Sequence, residues 1–121
     1  MKNLYIIVLS FLLFSCKKEV EKTESSGQEI ASIERGEQLF QENNCTACHQ
    51  LNQKVVGPSL QDMAQIYSQK KGNLILFLKG EAKPIVKPEQ YETMKINLEI
   101  TKVMSDAELQ SLEKYILSTF K

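Results

Sequence analysis

The 121-residue sequence has no tryptophan, one histidine, three cysteines and three prolines, and its fifteen basic residues are matched by fifteen acidic ones. Each scarcity excludes something. Zero net charge removes the basic excess that marks a nucleic-acid binder. Three cysteines permit one disulfide at most, too few for a disulfide framework. A lone histidine makes bis-histidine ligation within the chain impossible. It also leaves a structural zinc site short of donors, since there is no second cysteine pair to complete four ligands. No apolar run approaches the roughly 20 residues that a membrane-crossing helix needs. Only one segment, Leu74 to Leu78, reads as a possible strand, and it has nothing to pair with. What is present is 42% apolar residues, enough for a compact helical domain. With about ninety residues available to fold, burial alone is marginal, and a metal or a large apolar cofactor is expected to add stability.

The N-terminus reads as an address. Met1-Lys2-Asn3 and the apolar stretch Leu4 to Phe14 have the positive start and short hydrophobic core of a secretory signal. Leu13-Phe14-Ser15-Cys16 then resembles the bacterial lipobox, which implies cleavage before Cys16 and lipidation of that residue. A plain cleaved signal with a chance cysteine is the alternative. Several acyl chains, at about 0.8 kcal/mol per buried methylene, exceed what stable anchoring requires. The division is therefore 1–15 signal, 16–29 lipidated cysteine and charged tether, and 30–121 folded domain.

Helical periodicity organises the rest. Ile33, Gly36 and Phe40 share a face with Leu39 beside them, until Asn43 and Asn44 close the segment. Leu60, Met63, Ala64 and Tyr67 at i, i+3, i+4 and i+7 predict a second helix ended by Gly72, and Asn73 caps a third through Leu78. Gly80, Pro84 and Pro88 break the chain into an irregular stretch, with a helical turn over Glu89 to Met94. Ser105-Asp106-Ala107-Glu108 is a capping box for a last helix whose face carries Leu109, Leu112, Ile116 and Phe120. Met104 and Leu109 form its hydrophobic staple.

The chemistry lies in Cys45-Thr46-Ala47-Cys48-His49. Two thiols three positions apart can bond the two vinyl groups of one haem while the next residue's imidazole reaches the iron. A thioredoxin-like pair would need a strand before the thiols, and a simple Cys45–Cys48 disulfide leaves His49 without a role. The sixth iron position is open to a methionine sulfur, a lysine or N-terminal amine, or no ligand. Of the four methionines, Met1 initiates, Met63 fits a core face and Met104 the staple. Met94, in an irregular segment well downstream of His49, is the candidate, with Met104 as runner-up.

These residues resemble the monohaem class I cytochromes c, which carry the attachment motif near the N-terminus and a methionine as sixth ligand. The resemblance runs from Ile33 to Phe120. It includes Gly36 and Phe40, Val56-Gly57-Pro58-Ser59-Leu60, Met94-Lys95-Ile96-Asn97, and Leu112 with Tyr115 and Ile116. It implies an all-α fold of four to five short helices around one haem c, bound covalently through Cys45 and Cys48. It also implies that Gly36 lets the first helix approach Leu112 and Tyr115, that Pro58 offers its carbonyl to His49, and that the Asn97 amide holds the Met94 sulfur. The longer stretch from Leu98 to Met104 departs from the compact members.

With His49 and Met94 on the iron, no position is left for a substrate, so the function implied is one-electron carriage and not enzymatic catalysis. An iron with no methionine ligand would instead suit a haem sensor or weak peroxidase. Residues 45–104 hold eight lysines against five acids, which suggests a basic rim for an acidic redox partner or else ordinary solvated surface. The expected setting is a monomer on the periplasmic side of a bacterial envelope, held to a membrane through Cys16.

Overall fold

A computed structural model of the chain describes residues 31–120. The signal, the tether and Cys16 lie outside the described residues. Six α-helices are present: α1 Ile33–Glu42, α2 Leu60–Lys70, α3 Leu74–Leu78, α4 Tyr91–Lys95, α5 Leu98–Thr101 and α6 Asp106–Ser118. Short 3-10 turns occupy Cys45–Ala47 and Pro88–Gln90. No strand occurs among the described residues, and a single antiparallel bridge links His49 to Lys54. The apolar run at Leu74 is a helix, opened by the Asn73 side chain accepting the Leu76 N–H at 2.8 Å.

The frame is the crossing of α1 and α6. Ser32 caps α1 by accepting from the Arg35 N–H, and Ser105 caps α6 with both halves of the capping box in place. A carboxylate that accepts the Ser105 backbone N–H is held below its ordinary pKa, and the hydroxyl of Ser105 adds to the effect; Glu108 is so placed. Where the helices meet, a Cβ on Gly36 would clash with the Ser111 carbonyl oxygen and stand 2.7 Å from the Tyr115 Cβ. Only a residue without a side chain fits there. The backbone that Gly36 meets is thus that of Ser111, with Tyr115 as anticipated and Leu112 buried nearby. Ser111 also accepts the Ser32 N–H through Oγ at 3.2 Å, so one serine joins both ends of the crossing.

Leu39, Phe40, Leu60, Tyr67, Leu74, Leu78, Leu109, Leu112 and Ile116 make one buried cluster. Two residues placed on core faces by periodicity fall outside it: Ile33 is 45% exposed and Phe120 is 44% exposed. Ile33 is the first residue of α1, and Phe120 lies two residues beyond the end of α6.

Three further details correct the sequence reading. The left-handed residue that ends α2 is Lys71, at φ 50°, and not Gly72. Gly72 is instead a close approach, because a Cβ there would strike the Ile85 and Tyr67 side chains. Met94 lies on α4, in the helical turn read over Glu89 to Met94, but the stretch after it, read as irregular, forms α5. The α4–α5 segment packs chiefly on itself and the Pro88–Gln90 turn. It is fastened to α3 by the buried Thr101 hydroxyl, which donates to the Leu78 carbonyl at 2.6 Å.

Candidate cofactor-binding site

The end of α1 determines how the cysteines are presented. The Asn43 side-chain amide donates to the Leu39 carbonyl at 2.8 Å, and Asn44 takes a left-handed conformation at φ 60°, which asparagine tolerates better than most residues. The chain therefore reverses into the Cys45–Ala47 turn. There the Cys48 and His49 N–H groups both donate to the Cys45 carbonyl, at 3.2 and 3.0 Å. One turn thus carries both thiols and the imidazole. Cys45 and Cys48 are half-buried and unbonded to each other. Burial pushes the Cys45 thiol above its ordinary pKa.

His49 is held on one side of its ring only. Its Nδ1 lies 2.8 Å from the Pro58 carbonyl oxygen. A carbonyl only accepts, so Nδ1 carries the proton and Nε2 keeps its lone pair for a metal. The loop returning to Pro58 is fixed by the Gly57 N–H donating to the Cys48 carbonyl at 2.8 Å and the Leu60 N–H donating to the Gln50 carbonyl at 2.9 Å. Gly57 is the residue that residue-by-residue reading passed over. A Cβ there would lie 2.5 Å from His49 Cε1 and 2.8 Å from Nδ1, so the imidazole occupies the space a side chain would fill. Phe40 packs on the ring at a tilted 6.4 Å between centroids.

These groups open on a cleft of about 210 Å³, more than ten times the roughly 15 Å³ that one water needs. Cys45, Cys48, His49, Gly57 and Pro58 form one side, Tyr67 and Phe77 come from α2 and α3, and the segment from Pro84 to Thr101 supplies much of the remainder. Burial pushes the Tyr67 phenol up to about 12, so it stays neutral. Met94 lines the cleft; so does Met63, which also packs on the core cluster. Met104 packs on the core and is absent from the cleft wall. Asn97 lines the cleft, and its side-chain amide donates to the Thr93 carbonyl at 3.4 Å.

The residues fit a haem. Two unpaired thiols and an imidazole with a free Nε2 share one turn, Gly57 leaves room for that ring, and an apolar cleft large enough for an organic group faces them. In the cleft wall, Gln90 holds a side-chain oxygen sealed from water with no partner, which suits a further polar group bound there. Among the described residues no cluster of three or more His, Cys, Asp or Glu could hold a metal ion alone, so an iron here needs the macrocycle.

Comparison with known proteins agrees. Residues 33–120 match the cytochrome c family. Cytochrome c-552 of Nitrosomonas europaea is 47% identical over 45 residues, which is 37% of this chain and 43% of that protein. Cytochrome c-551 of Azotobacter vinelandii is 38% identical over 39 residues, 32% of this chain and 48% of that protein. The similarity thus spans less than half the length of either relative. With the helical fold, the paired thiols and the family match over nearly all the described residues, the chain belongs to the cytochrome c family, as a monohaem class I c-type cytochrome whose haem is attached through Cys45 and Cys48.

Proposed function

We propose that the protein is an electron carrier whose haem iron is ligated by His49 and Met94, working at a membrane surface outside the cytoplasm. Bound haem supplies a one-electron ferric–ferrous couple, and the chain's residues set its ease. The observation that carries the reading is the His49 ring, whose Nδ1–H is committed to Pro58 while Nε2 is left as a donor atom. Met94 as sixth ligand is supported by its being half-buried in the cleft wall without belonging to the core, whereas Met63 and Met104 both pack on it. Sulfur ligation and the apolar wall both favour the less charged ferrous state, so the midpoint is positive.

The sulfur-to-iron charge-transfer band of the ferric protein tests this. It should be present in the wild type, vanish in Met94→Ala and survive in Met63→Ala and Met104→Ala. A wild type without the band would favour the open-site sensor or peroxidase reading instead.

Surroundings are part of the proposal. Of the eight lysines in residues 45–104, Lys79, Lys95 and Lys102 are paired with Asp106, Glu92 and Glu99, which leaves Lys54, Lys70, Lys71, Lys83 and Lys87 without an ion pair among the described residues. They are the candidates for steering an acidic redox partner, and transfer rates should fall as salt rises. Among the described residues no helix is long and apolar enough to cross a membrane. Membrane attachment is assigned to a lipid on Cys16, and Cys16→Ala should release the protein into the soluble fraction.

A further inference from the structure

The cleft has one corner unlike the rest. Among the residues lining it, Lys87 is the sole lysine or arginine, and there is no aspartate or glutamate. Lys87 leads into the Pro88–Gln90 turn, where the Gln90 backbone N–H donates to the Lys87 carbonyl at 2.9 Å. Gln90, also in the wall, stands at the residue before α4 yet makes no capping bond with its side chain. Its Oε1 is sealed from water without a partner, and it is the single buried side-chain polar atom in that state among the described residues. Native proteins rarely keep such an atom unless something else bonds the group. The amide can turn over to present either its oxygen or its two N–H donors.

A haem is apolar except for two carboxylates at one edge. An ammonium and an amide three residues apart, on one turn of the wall of an apolar cleft, match a carboxylate in charge and in donors. Building on the haem-carrier reading, we infer that Lys87 and Gln90 together hold a haem carboxylate. Gln90 immediately precedes the helix bearing Met94, so the cofactor's own carboxylate fixes the start of that helix. Lys87 and Gln90 are then positioning residues for the methionine, acting through the haem edge.

The haem-loaded full chain provides the test. In NMR of the ferrous protein, the Gln90 side-chain amide protons should show cross-peaks to the propionate methylene protons. They should also exchange with solvent at least tenfold more slowly than those of the exposed Gln61. Gln90→Leu and Lys87→Met should keep covalent haem and helix content but lose the sulfur-to-iron band at a lower denaturant concentration than wild type, and Lys87→Arg should restore it. Gln90 amide protons without a haem cross-peak, or band loss at the wild-type denaturant concentration in both variants, would overturn the inference. A wild-type chain with no attached haem, or with haem but no band, sinks the carrier reading itself and this inference with it.

Discussion

Gly57→Ala is the most informative single perturbation of the site. Its φ is not in the left-handed region, so alanine meets no backbone penalty and the whole effect is steric. The new Cβ would stand 2.5 Å from His49 Cε1 and 2.8 Å from Nδ1. Carbon atoms in ordinary contact are about 3.5–4.0 Å apart, so ring and loop must separate by about 1 Å. A displacement of that size carries the 2.8 Å bond between Nδ1 and Pro58 out of hydrogen-bonding range. Overpacking costs about 1–3 kcal/mol and the lost bond about 1 kcal/mol, for a total of about 2–4 kcal/mol. For a domain of this size that is roughly 10 °C or more in Tm. The measurement is thermal unfolding of the haem-loaded protein followed at the Soret band, with the midpoint potential recorded alongside. A lower Tm and a displaced midpoint are expected. The acceptor at Pro58 is a backbone carbonyl, so Pro58→Ala, which retains it, should change the midpoint less than Gly57→Ala does. A Gly57→Ala protein with wild-type Tm and midpoint would refute the reasoning.

Gly36→Ala places a Cβ on the Ser111 carbonyl, so despite a gain of about 1 kcal/mol in helix propensity it should lower stability in urea by about 2 kcal/mol, and a more stable variant would contradict the crossing. Glu108 has a folded pKa depressed chiefly by the Ser105 N–H, so its contribution is present above the unfolded value near 4.5 and lost as pH falls through the folded one. Glu108→Gln should accordingly flatten the loss of stability below about pH 4.5, read from denaturant titrations at several pH values. Thr101→Val removes the donor to the Leu78 carbonyl and should cost about 1–2 kcal/mol, with amide exchange accelerated first in α4 and α5.

The sequence is most legible where one residue type does one local job. Ser105 and Glu108 spell a capping box, Asn73 spells a cap, and both are present at hydrogen-bond distance. The cysteine motif is legible because covalent attachment fixes its spacing, and Pro58 followed from the family resemblance. Periodicity identifies a helical face but not where the helix begins or stops, and Ile33 at the start of α1 and Phe120 past the end of α6 emerge at the surface. Lys71 takes the left-handed position while Gly72 stands in close contact with Tyr67 and with Ile85, a contact across the cleft that the local sequence does not announce. The α5 turn is only four residues long, too short for a hydrophobic period to register. Gly57 and Gln90 acquire meaning only in three dimensions, one from a ring that fills its missing side chain and the other from an oxygen with nothing to bond.

The loose attachment of the α4–α5 segment bears on how the protein is made. Before haem is present, α1 and α6 hold each other through the Gly36–Ser111 crossing, while α4 and α5 meet the rest of the fold through fewer groups, chiefly the buried Leu98, the Thr101 hydroxyl and the tilted Phe77–Tyr91 ring pair. That segment is therefore the unit that opens at least cost in the newly made chain. An unattached chain would then present its two thiols through an open side, and the arriving macrocycle would close the molecule by bridging segments that share few contacts of their own. The prediction is fast amide exchange across residues 91–101 of the haem-free protein beside protected α1 and α6, and slow exchange throughout once the cofactor is bound. Equal protection in the haem-free chain would mean that the cleft is preformed and that haem must enter by another route.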